Sequence, residues 1–400
     1  MTGYLIAGSG VAGTTAAEQI RKLDPEGSVT IVTEEEVPFY YRLRLNEFIA
    51  GEIGLDQLIA KKDNWYKDRN INLELGVRLT GGDASARRLE GAGGRVFSYD
   101  RLLVATGSHS FIPPIKGSDM KGVYALRGIA DARAIMEEAK KPGDAVLIGG
   151  GLLGLEAGNA LRKLGMNVCV VEFFPRLLPR QLDEEGAKLL QSIMEDMGFS
   201  FRLGAKTGGI GGSGRVEFVE LEGGEKLSAR MVVVSAGVRP NMELAEALGL
   251  DKDKGIKVDG RLMTSAPDIY AAGDVAEFQG MPYGIWPAAM EQGKIAGINM
   301  GGGDEQYNGT TMANTLKVVG VDLASAGDID ADGKLESKVS AVEGVYRKVV
   351  LEGGVIKGCI MLGNTKGFND VTKAMGRKTD VSAFKDRIAS EDFDYSLLKG

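Results

Sequence analysis

The apolar positions of the chain repeat one pattern twice. Residues 3–8, GYLIAG, form an unbroken apolar run of strand length. GSGVAG follows, and then TTAAEQIRKL, in which Ala16, Ala17, Ile20 and Leu23 recur at the spacing of one helical face. A second apolar run, SVTIVT, completes a strand–helix–strand unit. The same order returns at 145–171: AVLIG, then GGGLLGLEAG, a helix through ALRKL, and the strand NVCVV. Two copies this far apart predict two nucleotide-binding domains, since repeat arrays have periods of about 20–50 residues. The predicted fold class is α/β, with two Rossmann-like dinucleotide-binding domains and a small C-terminal α/β domain.

Between the copies, YDRLLVATGSHSFIPPIKG (99–117) reads as a strand, a small-residue turn and a linker that Pro113-Pro114 keeps irregular. Beyond the second copy, EEGAKLLQSIMEDMG predicts an amphipathic helix closed by Gly198. GGIGGSG (208–214) reads as a flexible turn between strands, and MVVVSAGVRP (231–240) as a strand that breaks at glycine and proline. YRKVVLEGG and VIKGCIMLG predict short strands near the C-terminus.

Composition narrows the chemistry. A chain of 400 residues is too long for one hydrophobic core. The net charge of −7 repels phosphate backbones and argues against nucleic-acid binding. There is no apolar run of about 18 residues to span a membrane. The N-terminus lacks the basic and cleavage regions of a signal peptide, which makes the cytoplasm the expected location. The one histidine, His109, excludes a histidine-based triad and a zinc site with two or more histidines, and is expected on the linker surface. The two cysteines, Cys169 and Cys359, form no CxxC pair, lie in apolar runs and are expected to be buried. No metal site is expected.

Glycine carries the positive signal. In Gly8-x-Gly10-x-x-Gly13 the first glycine permits the tight turn, the second lets a pyrophosphate approach the backbone, and the third lets helix pack on strand. The helix N-terminus then presents its free N–H groups to phosphate. Glu34 and Glu35 stand where a carboxylate would meet ribose hydroxyls. The second fingerprint is Gly149-x-Gly151-x-x-Gly154, with Glu172 closing its second strand. An acid there favours NADH over NADPH; an arginine at 176 or 180 that clamped a 2′-phosphate would weaken that preference, pyrophosphate contact or plain solvation being the other readings of these two residues. Asp274, after Gly273 in YAAGDVAEF, is suited to accept a hydrogen bond from a ribitol chain.

With these pieces the chain resembles the FAD-dependent pyridine-nucleotide oxidoreductases, and most closely their NADH:rubredoxin oxidoreductase branch, which includes the flavin portion of assimilatory nitrite reductases. The matching segments include GSGVAG, YYRLRLNEFI, YDRLLVATGS, GGGLLGLEAG, AGVRPN, IYAAGDVAEF and WPAAMEQGKIAGINM. The resemblance implies an FAD-binding domain at 1–109 and 238–311, an NADH-binding domain at 110–237 and an interface domain at 312–400. It implies that Gly8, Gly10, Ala12, Gly13 and Glu34 or Glu35 hold the ADP half of FAD, with Arg42 beside the phosphates and Leu79 where the backbone meets adenine. Ala105, Thr106, Gly107, Arg127, Asp274 and Trp286 would line the flavin. Gly149, Gly151, Leu153, Gly154, Glu172 and Gly237 would seat NADH. Glu156 resembles the acidic residue beside the nicotinamide; a helix-start glutamate favoured by the dipole is the other reading.

VPFYYRLRLNEFIAG (37–51) then reads as the wall that carries the FAD pyrophosphate toward its ring. Relatives that reduce disulfides, peroxide or oxygen place a cysteine after the start of this segment. Here no cysteine precedes Cys169. Without a thiol relay, the expected function is transfer of electrons from NADH through FAD to a protein acceptor, rubredoxin-like or iron–sulfur. Three alternatives stay open: the NADH-reactive flavin subunit of a larger redox complex, a redox-sensing binding protein, and an oxidase using oxygen directly. A homodimer through the C-terminal domain is compatible with the sequence.

Overall fold

A computed structural model describes residues 1–310 and 313–399. The boundary expected between 311 and 312 lies outside the described residues. The chain divides into two compact units, Met1–Ser110 with Val238–Thr311, and Phe111–Gly237 with Met312–Gly400.

The core of the first unit is a five-stranded parallel sheet. Its order in space is Ile269–Ala271, Arg101–Val104, Gly3–Ala7, Ser28–Val32, Ile71–Glu74. The second unit repeats that order with Val123–Ala125, Met231–Val234, Asp144–Ile148, Asn167–Glu172, Ser200–Leu203, again all parallel. Parallel sheets are covered on both faces, so their strands are apolar throughout; Leu102, Leu103 and Val104, like Val146 and Leu147, are fully buried. In each sheet the strand entering the glycine turn is flanked on one side by the next strand in sequence and on the other by a later one. Such a reversal leaves a crevice at the carboxyl ends of the strands, where ligands of open α/β sheets bind.

The helix Val11–Leu23 buries Ala16, Ala17 and Ile20 against the first sheet. Leu23 was expected on that face but is 50% exposed, at the last residue of the helix. A second helix, Trp286–Met300, crosses the first at very short range. A Cβ on Gly293 would lie 2.3 Å from the Ala12 carbonyl oxygen, and one on Gly297 would lie 2.6 Å from that of Ala16. Glycine spaced by four along one face therefore lets the two backbones touch.

The Glu184–Asp196 helix forms as expected, capped by the Asp183 carboxylate and followed by Gly198 with φ 99°. The stretch expected to be a flexible turn instead holds a strand, Thr207–Gly211, paired antiparallel to Phe218–Leu221. Its glycines serve packing: a Cβ on Gly211 would fall 2.3 Å from the Phe218 ring. At the C-terminus five antiparallel strands form one sheet, and the helix Phe368–Arg377 covers a core that includes Val349, Cys359 and Met361.

Candidate functional site

The two glycine turns have the same geometry. Gly8 and Gly149 both adopt φ 115°, and each N–H donates to a carbonyl near the end of the adjacent strand, that of Val32 or Val171, at 2.8 Å. A Cβ on Gly8 would lie 2.2 Å from the Ala105 carbonyl oxygen; one on Gly149 would lie 2.3 Å from that of Ser235. The third glycines pack on the first, so that a Cβ on Gly13 would approach the Gly8 oxygen at 2.1 Å, and one on Gly154 the Gly149 oxygen at 2.5 Å. The second glycines differ from these in one respect. A Cβ on Gly10 or Gly151 would meet nothing within 4 Å. Both are N-caps with extended backbone, and no side chain caps either helix. Each turn therefore has an open face in front of uncapped N–H groups, the shape and polarity a pyrophosphate requires. The residues present fit two dinucleotides.

Around the first turn, Ala12 lies buried on the helix, against Gly293. The position opposite Gly8 that corresponds to Glu172 is Thr33, whose hydroxyl accepts the Glu35 N–H at 3.3 Å. The two expected acids diverge. Glu34 is exposed and pairs with Arg78 at 3.8 Å. Glu35 accepts from both the Tyr40 hydroxyl and the Arg42 guanidinium at 2.8 Å. Burial works against the Arg42 charge, but Tyr40 and Glu35 hold its pKa above the ordinary value, with a further contribution from Asp274. Arg42 also lies over the Tyr40 ring, 5.1 Å from its centroid. Leu79 opens a small antiparallel sheet and packs half-buried against the core.

The Ala105–Thr106–Gly107 turn is closed by a residue the sequence reading passed over. Asn241 donates its amide to the Thr106 carbonyl at 2.8 Å, and its backbone N–H donates to that of Gly107 at 3.0 Å. Its side-chain oxygen meets His109 Nδ1 at 2.7 Å. His109 is exposed, as expected, but it sits in the strand Ser108–Ser110 rather than in a linker. The Ser108 hydroxyl donates to Asp274 at 2.7 Å, so Asp274 stands at the end of the same turn. Gly107 and Gly237 hold equivalent places after the two sheets, both at positive φ. Trp286 begins its helix and stacks on Phe39, centroids 5.8 Å apart, with Tyr41 at 6.1 Å. Arg127 lies in the second unit, ahead of the helix Ile129–Ala139, and its N–H donates to Asp131.

At the second turn Glu172 is only 6% exposed. One carboxylate oxygen accepts from Gly150 N–H, the other from Phe174 N–H at 2.8 Å. Leu153 is exposed at the helix N-terminus, and Phe173 and Phe174 stand exposed beside the acid in edge-to-face contact. Arg176 donates to the carbonyls of Leu182 and Pro179 at 3.2 and 3.3 Å, while Arg180 is exposed. Glu156 accepts the Val319 N–H at 2.7 Å.

Cys359 is fully buried, and desolvation pushes its thiol up to about 12. Cys169 is half-buried rather than buried, and both thiols are free. Among the described residues no group of acids, histidines and cysteines could hold a metal ion, and no helix is long and apolar enough to cross a membrane.

Residues 2–293 match the pyridine nucleotide-disulphide oxidoreductase family, and residues 313–379 match the rubredoxin NAD+ reductase C-terminal domain. The chain belongs to the pyridine nucleotide-disulphide oxidoreductase family, which binds FAD and NADH. It is 36% identical over 399 residues to the assimilatory nitrate reductase electron transfer subunit of Bacillus subtilis, covering 99% of this chain and 52% of that protein. It is 31% identical over 392 residues to the NADH-rubredoxin oxidoreductase of Clostridium acetobutylicum, covering 98% of each. The crystal structure of NADH:rubredoxin oxidoreductase from Clostridium acetobutylicum matches with a TM-score of 0.80 at 29% identity, over 100% of both chains. The chain spans about half the length of the nitrate and nitrite reductase proteins of Bacillus subtilis that it matches, 52% and 48%.

Proposed function

We propose that the protein is a flavoprotein oxidoreductase that accepts electrons from NADH and passes them to a protein acceptor of the rubredoxin or iron–sulfur type. The observation that carries this reading is the duplicated glycine turn, each copy with an open face at Gly10 or Gly151. FAD would occupy the first and NADH the second; bound there, the pair supplies hydride and single-electron chemistry. The chain's own residues bind and orient. Gly10 and the amides of the Val11–Leu23 helix would receive the FAD pyrophosphate, and Arg42 would offset its charge. Asp274 would accept from the ribitol chain, with Thr106, Gly107 and Trp286 along the ring. Gly151, Leu153 and Gly154 would seat NADH, with Glu172 shaping the turn through Gly150. The domain roles expected from the sequence, FAD at 1–109 with 238–311 and NADH at 110–237, belong to the same proposal, as does the cytoplasmic location, which two free cysteines favour.

The absence of a thiol before Cys169 supports transfer to an external acceptor over disulfide or peroxide reduction. Purified protein should release FAD on denaturation and should reduce a rubredoxin or small iron–sulfur protein with NADH. Flavin retained with no transfer to any such acceptor would overturn the reading. One observation favours a second form of it: the chain matches half of an electron transfer subunit and half of nitrite reductase. In that form the same chemistry serves a larger complex, and copurification of partner subunits distinguishes the two.

A further inference from the structure

A run of buried contacts joins the second glycine turn to the C-terminal sheet. It begins at Gly150, whose N–H donates to Glu172 and whose carbonyl accepts the Leu178 N–H at 3.2 Å. A Cβ on Gly150 would come 3.0 Å from the Leu177 side chain. The 173–182 loop is therefore held directly against the glycine turn. Leu178 is buried with φ 47°, a left-handed conformation that costs a non-glycine residue free energy and persists only where the surroundings impose it. Leu182 N–H donates to the Leu178 carbonyl at 2.9 Å, and Arg176 braces Leu182 from the other side.

The loop ends at Asp183, where the imposed conformation is anchored. One oxygen of Asp183 caps the Glu184–Asp196 helix through Gly186 N–H at 3.1 Å. The other accepts the Tyr346 hydroxyl at 2.6 Å and pairs with Lys348 Nζ at 3.2 Å. Tyr346 and Lys348 lie on the strand Val345–Glu352 of the C-terminal sheet. Asp183, Tyr346 and Lys348 are 8%, 2% and 6% exposed. Lys348 is also held by the Asp330 carbonyl at 3.0 Å. A buried charge pair is costly to break and gains little as bulk stabilisation, so its best-attested use is to fix geometry. A turn between two strands of the same sheet also reaches the glycine-turn helix, where Val319 N–H donates to Glu156.

We propose that Tyr346 and Lys348 are positioning residues for the second dinucleotide site: through Asp183 they hold the 173–182 loop in its binding conformation. The C-terminal sheet thereby completes the nicotinamide-dinucleotide site as well as any surface it offers a partner. This rests on the reading of the second turn as the NADH site.

The test uses the FAD-loaded full chain and calorimetric titration with NAD+, which binds without reducing the flavin. Tyr346→Phe removes only the hydroxyl. It should raise the NAD+ Kd about tenfold and raise the KM for NADH with ferricyanide as acceptor. Its kcat and flavin content should stay at the wild-type level, a split that a merely structural role would not produce. An NAD+ Kd within twofold of wild type in the folded variant overturns the proposal. Wild-type protein that binds neither NAD+ nor NADH overturns the site reading and the proposal with it. Should Tyr346→Phe fail to fold, hydrogen exchange of the wild type decides. NAD+ should slow exchange in 173–182 and in Val345–Glu352 together; protection confined to the glycine turn would contradict the linkage.

Discussion

Gly13 lies against Gly8 so closely that a Cβ on it would come within 2.1 Å of the Gly8 carbonyl oxygen, while one on Gly10 would meet nothing within 4 Å. The fold therefore requires one of these glycines, and the proposed pyrophosphate site requires the other. Gly13→Ala should destabilise the protein by about 1–3 kcal/mol through overpacking, seen as a lower Tm even in flavin-stripped protein. Gly10→Ala has room and an allowed backbone, so its stripped form should melt with the wild type. Its flavin-to-protein absorbance ratio should fall, because the methyl group would stand in the proposed pyrophosphate site. Equal Tm losses in the two stripped variants would remove this distinction.

Glu138 holds two guanidiniums with one carboxylate, Arg215 at 2.7 Å and Arg230 at 2.8 Å. Burial opposes its charge, but the two arginines prevail and hold its carboxyl below the usual value. A depressed carboxylate pKa contributes stability above the unfolded-state pKa and loses it as pH falls through the folded-state one. Glu138→Gln should cost about 2–3 kcal/mol near neutrality, less than the about 3–5 kcal/mol for breaking a fully buried pair, because both arginines are partly solvated. Wild type and variant should converge below about pH 4. A stability difference unchanged by acid in urea titrations would contradict this.

Neither thiol is placed for chemistry. Cys359 is fully buried and Cys169 half-buried in a strand. Native protein treated with N-ethylmaleimide should keep its NADH-dependent electron transfer, and so should Cys169→Ala. Loss of more than half the rate in either would restore a thiol relay to consideration.

The arginines after the second acid bear on coenzyme choice. Arg176 donates to two loop carbonyls, which commits it to shaping the loop rather than clamping a phosphate. Arg176→Ala should weaken NADH and NADPH to similar extents, leaving the ratio of their kcat/KM values within about twofold. A selective loss of NADPH activity would show that it reaches the 2′-phosphate.

Sequence alone disclosed what depends on backbone conformation near in the chain. The glycines at 8, 10, 13, 149, 151 and 154 were legible because their spacing encodes a turn and a close approach. The residues joined across long sequence separations were not. Nothing in the strand YRKVVLE marks Tyr346 as a partner of Asp183, since the pairing joins residues 163 positions apart. Asn241 was hidden in the same way, its amide closing a turn well over a hundred positions upstream. The Thr207–Gly211 strand was missed because its glycines look like a turn until Phe218 is seen covering Gly211. Glu172 was read only as the acid that favours NADH over NADPH; that its two oxygens accept backbone N–H groups of Gly150 and Phe174 was not visible in the sequence.

The central claim is that one chain holds both dinucleotides and moves electrons between them. Anaerobic rapid mixing of the purified flavoprotein with NADH, following flavin absorbance, tests it most directly. The account predicts bleaching faster than steady-state turnover, weaker or slower with NADPH, and recovery of colour on adding an oxidised rubredoxin or iron–sulfur protein. Protein that carries no flavin, or flavin that NADH leaves oxidised, would contradict it.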